Sequence, residues 1–155
     1  MSERIAINVP AFIFALILAP ATIGALAMAI GWGLQALFPE NASILVFGIA
    51  TAASIFGLPT YLTFGTAFFI YYLRRTEDSF ISAMAWAGLR ANFASTPLVF
   101  LFFLMVNDQS AVGGVAFYVG FGTIFAPLWG ANFGWLYSKM RGIGGFLNAN
   151  RSGSV

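Results

Sequence analysis

Residues 80–106 read FISAMAWAGLRANFASTPLVFLFFLMV, an apolar run interrupted by a single charge, Arg90. About 20 such residues wound into an α-helix cover the ~30 Å hydrocarbon core of a bilayer, and this run is longer than that. Three more runs match it, at Pro10–Phe38, Ser43–Leu73 and Val112–Ser138. The breaks between them are short and made of turn-forming residues: Pro39-Glu40-Asn41, Arg74-Arg75-Thr76-Glu77-Asp78 and Asn107-Asp108-Gln109-Ser110. Connections of that length make consecutive helices antiparallel neighbours. No run alternates strictly between apolar and polar residues, so a transmembrane barrel does not fit. The sequence predicts an all-α membrane protein: a four-transmembrane-helix up-down bundle over residues 1–141, followed by a flexible Gly-, Asn- and Ser-rich tail over residues 142–155.

Composition agrees. Of 155 residues, 60% are apolar and 8% charged, where soluble domains carry about 45–50% and about 25%. Seven basic and five acidic side chains cannot cover the surface of a soluble globule. High hydrophobicity with a net charge of +2 is the opposite of the disordered signature, and gives no basic patch for nucleic acid. The chain contains no Cys and no His. That excludes disulfides, thiolate nucleophiles, His-ligated haem, His/Cys zinc sites and a Ser-His-Asp relay. The carboxylates Glu3, Glu40, Glu77, Asp78 and Asp108 all fall outside the apolar runs, so no acid is available at mid-bilayer for a proton relay or cation pump. No enzyme activity, cofactor or metal is expected. Gly142-Ile143-Gly144-Gly145 follows a helix rather than a strand and is not a phosphate-binding loop.

Basic residues set the orientation. Arg4, Arg74, Arg75, Lys139, Arg141 and Arg151 fall on one side of the bundle, whereas the opposite loops hold Glu40 and Asp108 and neither Lys nor Arg. The positive-inside rule then places both termini in the cytoplasm. Tyr71, Tyr72, Trp86, Trp135 and Tyr137 anchor the same side. The first run is too long for a signal-peptide core and continues past its A-x-A pairs, so it is read as a retained helix. The architecture is similar to that of many small four-helix bacterial inner-membrane proteins. A buried carboxylate of the small multidrug antiporters is absent, and the one-sided charge differs from the dual topology of fluoride-channel-type proteins.

Helices in lipid associate through close packing and interhelical hydrogen bonds, and small residues let their backbones approach. Ladders at four-residue spacing occur at Ala21, Ala25, Ala29 and Gly33, at Ala83, Ala87, Ala91 and Ser95, and at Ala126, Gly130 and Gly134. Gly130 and Gly134 are the expected packing residues of the fourth helix. Each run has an interior proline, Pro20, Pro59, Pro97 or Pro127, which frees the carbonyl four residues earlier. Neighbouring Ser54, Thr60, Ser95, Thr96 and Thr123 are candidates to satisfy freed groups.

The in-span polar residues are Thr63, Thr66, Arg90, Asn92 and Asn132. Thr66, Arg90 and Asn132 fall at one depth, roughly 10 Å below the cytoplasmic surface at 1.5 Å per residue. Thr63, Thr66, Arg90 and Asn132 are therefore the candidate polar cluster or lipid anchor. Arg90 shares a face with Ala83, Ala87, Ala94 and Pro97, and that face is expected to look toward the other helices. Tyr61 and Tyr118 are read as buried or lipid-facing aromatics. The functional expectation is a non-catalytic accessory, scaffold or lipid-interacting subunit of the inner membrane. Its partners would be membrane lipids, other membrane subunits or a second copy. The alternative is a small permease or channel passing a neutral or anionic solute near Arg90.

Overall fold

The computed structural model describes residues 7–38, 57–75, 80–106 and 111–152, with 142–152 described by backbone alone. The regular elements among the described residues are all helical. Helix α1 is Val9–Leu37. Helix α2 is composite: Leu58–Thr60, a π-helical segment Tyr61–Gly65, then Thr66–Leu73. Helix α3 is Phe80–Val106 and α4 is Ala111–Ser152. Three segments, Val9–Leu37, Phe80–Val106 and Ala111–Arg141, are long and apolar enough to cross a membrane. The described part of α2 is shorter. Residues 43–56 of the second apolar run and the three inter-helix breaks at 39–42, 76–79 and 107–110 lie outside the described residues. The backbone of α4 is helical through Ser152, beyond the Ser138 boundary of the fourth apolar run.

Local chemistry explains the starts and irregularities. Asn8 caps α1, its side chain accepting from the Ala11 N–H at 3.2 Å. Pro10 follows in the first turn, where a missing N–H costs no hydrogen bond. The π segment begins two residues after Pro59, and the Thr66 N–H reaches back to the Tyr61 carbonyl. A proline is a known cause of such a break in the helical ladder. Hydroxyls do cluster near the prolines, but they bond other carbonyls than the freed ones at 16, 93 and 123. Thr22 donates to Leu18, Ser95 and Thr96 to Asn92, and Thr123 to Val119. Ser and Thr in a helix reach their own third or fourth preceding carbonyl, and that short reach selects the acceptor.

Contacts fix the relative directions. The Asn8 N–H donates to the Tyr137 hydroxyl at 3.1 Å, and Phe12 packs edge-on against Phe133 at 5.2 Å, so α1 and α4 run antiparallel. Tyr61 meets Trp129 at 5.3 Å and Phe69 stacks on Phe133 at 4.5 Å, so α2 and α4 run parallel. Phe80 meets Tyr137 at 6.2 Å, and Met84 meets Gly130, so α3 runs antiparallel to α4. The described segments therefore alternate in direction. Phe133 is the hub of the core, touching a ring from α1, a ring from α2 and Tyr137 of its own helix. Aromatic pairs of this geometry contribute about 0.5–1.5 kcal/mol each beyond their area.

The closest packing is between α3 and α4. A Cβ on Gly134 would lie 2.7 Å from the Phe80 carbonyl oxygen. A Cβ on Gly130 would overlap the Met84 carbonyl oxygen, one on Gly88 the Ala126 carbonyl oxygen, and one on Gly122 the Asn92 side chain. Four steps of four residues on α3, at 80, 84, 88 and 92, thus meet four on α4, at 134, 130, 126 and 122. Glycine is required on one side of each step because the opposing group is backbone or a buried amide.

This seam corrects two expectations. The buried face of α3 is Met84, Ala87, Gly88, Ala91, Asn92 and Ser95, whereas Arg90, Ala94 and Pro97 are exposed. Gly88 allows backbone contact and so sets the face, and Arg90, two residues on, is turned about 200° away. On α1 the buried ladder is Ala11, Ala15 and Ala19, while Ala21, Ala25, Ala29 and Gly33 are exposed. The contacts of α1 with α4 concentrate toward the Asn8 end, and a Cβ on Gly24 or Gly33 would meet nothing within 4 Å.

Candidate functional site

The polar residues singled out in the sequence make separate contacts. Thr63 and Thr66 donate to their own helix, to Pro59 at 2.8 Å and Leu62 at 2.6 Å. Asn132 bridges α4 to α1, its amide donating to the Ala19 carbonyl at 3.0 Å and to the Thr22 hydroxyl. That clasp lies beside Pro20, the interior proline of α1. Arg90 is exposed, with its guanidinium 5.5 Å from the Tyr72 ring centre. It borders a groove with Ala67, Phe68, Tyr71 and Tyr72. Arg75 lies over Tyr71 at 4.3 Å and Arg141 over Phe80 at 6.0 Å. Basic side chains on aromatic faces thus ring the end of the bundle where α2 finishes and α3 begins. Cation–π contacts at exposed sites are worth about 0.5–1 kcal/mol.

A different set of polar groups converges between α2, α3 and α4. Gly57, Gly65, Gly88 and Gly122 withhold side chains there and leave a cavity of about 40 Å³. Tyr61, Asn92 and Trp129 line it, 5%, 6% and 6% exposed. The Tyr61 hydroxyl, the Asn92 amide nitrogen and the Trp129 indole nitrogen are buried without an acceptor among the described residues. Beside them the Ser95 and Tyr118 hydroxyls share a bond of 2.6 Å, and the Ser95 hydroxyl reaches the Asn92 carbonyl at 2.9 Å. Phe117, Phe121 and Phe125 complete the wall. Each unpaired group forfeits a hydrogen bond it makes freely in water, a penalty of about 1–3 kcal/mol. Three such penalties in one place mark a site.

Elements position these groups simply. Asn92 is the fourth step of the seam and faces Gly122. Trp129 is pinned between Tyr61 and Gly57, where a Cβ would come within 3.0 Å of the indole ring. Tyr61 opens the π segment, which shifts its register relative to a regular helix. The sequence shows Asn92 as an in-span polar residue and Tyr61 and Tyr118 as buried or lipid-facing aromatics, but neither spacing nor hydropathy joins three helices at one point. The glycines opposite them were the available signal.

Comparison of the chain with models of known families, with curated proteins and with solved structures finds no match. Among the described residues no group of three or more His, Cys, Asp or Glu could hold a metal ion.

Proposed function

We propose that this chain is a non-catalytic, multi-pass protein of the bacterial inner membrane with both termini in the cytoplasm, serving as an accessory or scaffold subunit in contact with lipid. One observation carries the reading: the α3–α4 seam is packed to backbone contact over three consecutive steps and closed at the fourth by Asn92 against Gly122, as suits a rigid structural element. The outward faces supply the lipid contact, with Phe14, Ile17, Trp32, Phe93, Leu101 and Met105 each about half exposed or more. An apolar surface of that extent is unsuited to water. The polar side chains weighed as a solute path support the same reading. Thr63 and Thr66 bond their own helix, Asn132 clasps α1, and Arg90 rests on Tyr72. Arg90 borders no part of the buried cavity, so a permease built around it gains no support from these contacts.

Affinity purification in a mild detergent followed by mass spectrometry tests the subunit role. Co-purification of one membrane protein in stoichiometric amount is the expected result. A lone, monodisperse chain at native expression levels would overturn it.

A further inference from the structure

The buried cavity lies against a second feature. Trp129 and Phe125 also line an apolar groove of about 500 Å³ bordered by Ile17, Pro20, Leu58 and Leu62. We propose that cavity and groove together bind an uncharged, aliphatic carbonyl compound dissolved in the membrane. Its carbonyl oxygen, with two lone pairs, accepts from Tyr61 and Trp129, whose rings meet at 5.3 Å, with Asn92 beside them in the same lining, and its hydrocarbon chain occupies the groove.

The donors select the head. All three unpaired atoms offer a proton, and two of them, the amide nitrogen and the indole nitrogen, can do nothing else. A strong acceptor is what they lack. An anion would satisfy them, but no Lys or Arg lines the cavity, and taking a bare charge out of water costs far more than three neutral donors return. A neutral oxygen incurs no such cost. Volume then selects the shape. An apolar cavity of about 150 Å³ binds a benzene ring, and this one is about 40 Å³. A carbonyl group on a linear chain fits where a quinone ring does not. Depth selects the source. Asn92 is in the middle third of α3, about 18 Å along the axis from Phe80 at 1.5 Å per residue. A phospholipid held at the interface by its phosphate does not bring its ester carbonyl to mid-bilayer, whereas a free lipophile does. The inference shares only the membrane placement with the proposed function. A missing partner in affinity purification leaves it standing, and failure of ligand binding leaves the subunit role standing.

The test uses the full chain in nanodiscs of ether-linked phosphatidylcholine, which carry no ester carbonyl, with 2-undecanone labelled with carbon-13 at the carbonyl as probe. Infrared difference spectra report hydrogen bonding to the labelled carbonyl as a shift to lower frequency. The expected result is a shifted band that saturates at one ketone per chain and is not displaced by undecane at equal concentration. Tyr61→Phe removes one donor and keeps its ring, and Trp129→Phe removes another while keeping one aromatic ring of the indole's two; each should weaken binding about five- to tenfold. Thermal melts verify that the variants fold. If Tyr61→Phe does not, Trp129→Phe decides alone. A labelled band identical to that in protein-free nanodiscs overturns the proposal and leaves the cavity a hydration site only. A shifted band of unchanged affinity in the folded variants overturns it equally, because the ketone then sits elsewhere.

Discussion

Replacing Gly130 by alanine probes the seam at its tightest point. The added Cβ would overlap the Met84 carbonyl oxygen and lie 3.2 Å from the Ala85 Cα. Both are backbone, so no rotamer change relieves the clash, and α3 and α4 must part by roughly 1–1.5 Å to restore a contact near ~3.5 Å. A gap of 0.5–1 Å already forfeits about a quarter to a half of each dispersion contact it opens, and the neighbouring steps at Gly88 and Gly134 open with it. Overpacking costs about 1–3 kcal/mol in general, and an unyielding neighbour puts this site at the upper end. Alanine also gains about 0.5–1 kcal/mol over glycine in a helix, which leaves a net loss of about 2 kcal/mol. Gly24→Ala is the matched control: its Cβ would meet nothing within 4 Å, so only the propensity gain remains. The two variants should differ by about 3 kcal/mol, with Gly130→Leu worse than either. Thermal or SDS-titrated unfolding in detergent micelles measures the difference. Equal stability of Gly130→Ala and Gly24→Ala would refute the close-contact argument outright.

Three further outcomes follow from the same geometry. Asn132→Ala should cost about 1 kcal/mol by unclasping α4 from α1. In the double variant with Thr22→Val the losses should be less than additive, because the two residues share one bond; strict additivity in unfolding free energy would count against the clasp. Arg90→Lys should preserve insertion and folding, and Arg90→Leu should leave the topology intact, since the side chain is exposed on Tyr72 and long basic chains snorkel to the interface. Protease mapping of oriented vesicles showing an inverted Arg90→Leu would contradict that role. Reporter fusions address the orientation: one at Val155 should be active in the cytoplasm and one after Asn41 in the periplasm, and the reverse pattern would overturn the positive-inside reading.

The contrast between Gly88 and Arg90 shows how far the sequence reaches. Hydropathy alone yields the first and third helical runs nearly to the residue and the start of the fourth, because a membrane span has to satisfy its backbone internally and has to be long enough to cross. Alanine ladders were less informative. The Ala21–Gly33 ladder of α1 is exposed, while the row that packs, Ala11, Ala15 and Ala19, continues from the Asn8 cap. Small side chains permit contact at many positions without saying which helix arrives. Arg90 drew attention because a charge in a span is costly, yet it resolves that cost by turning outward, away from the groups that remain unpaired.

The sequence by itself determined the all-helical class, the apolar runs, and the absence of Cys and His. Each of these is a local property of residues along the chain. Only the tertiary structure decided which glycines are essential, which way Arg90 turns, and that Tyr61, Asn92 and Trp129 meet. Those three residues belong to three helices, and their proximity depends on a π segment after Pro59, a four-step seam built on glycine, and an indole held over Gly57. Side chains so distant along the chain carry no joint signal in it, because what unites them is the space that absent side chains leave between helices.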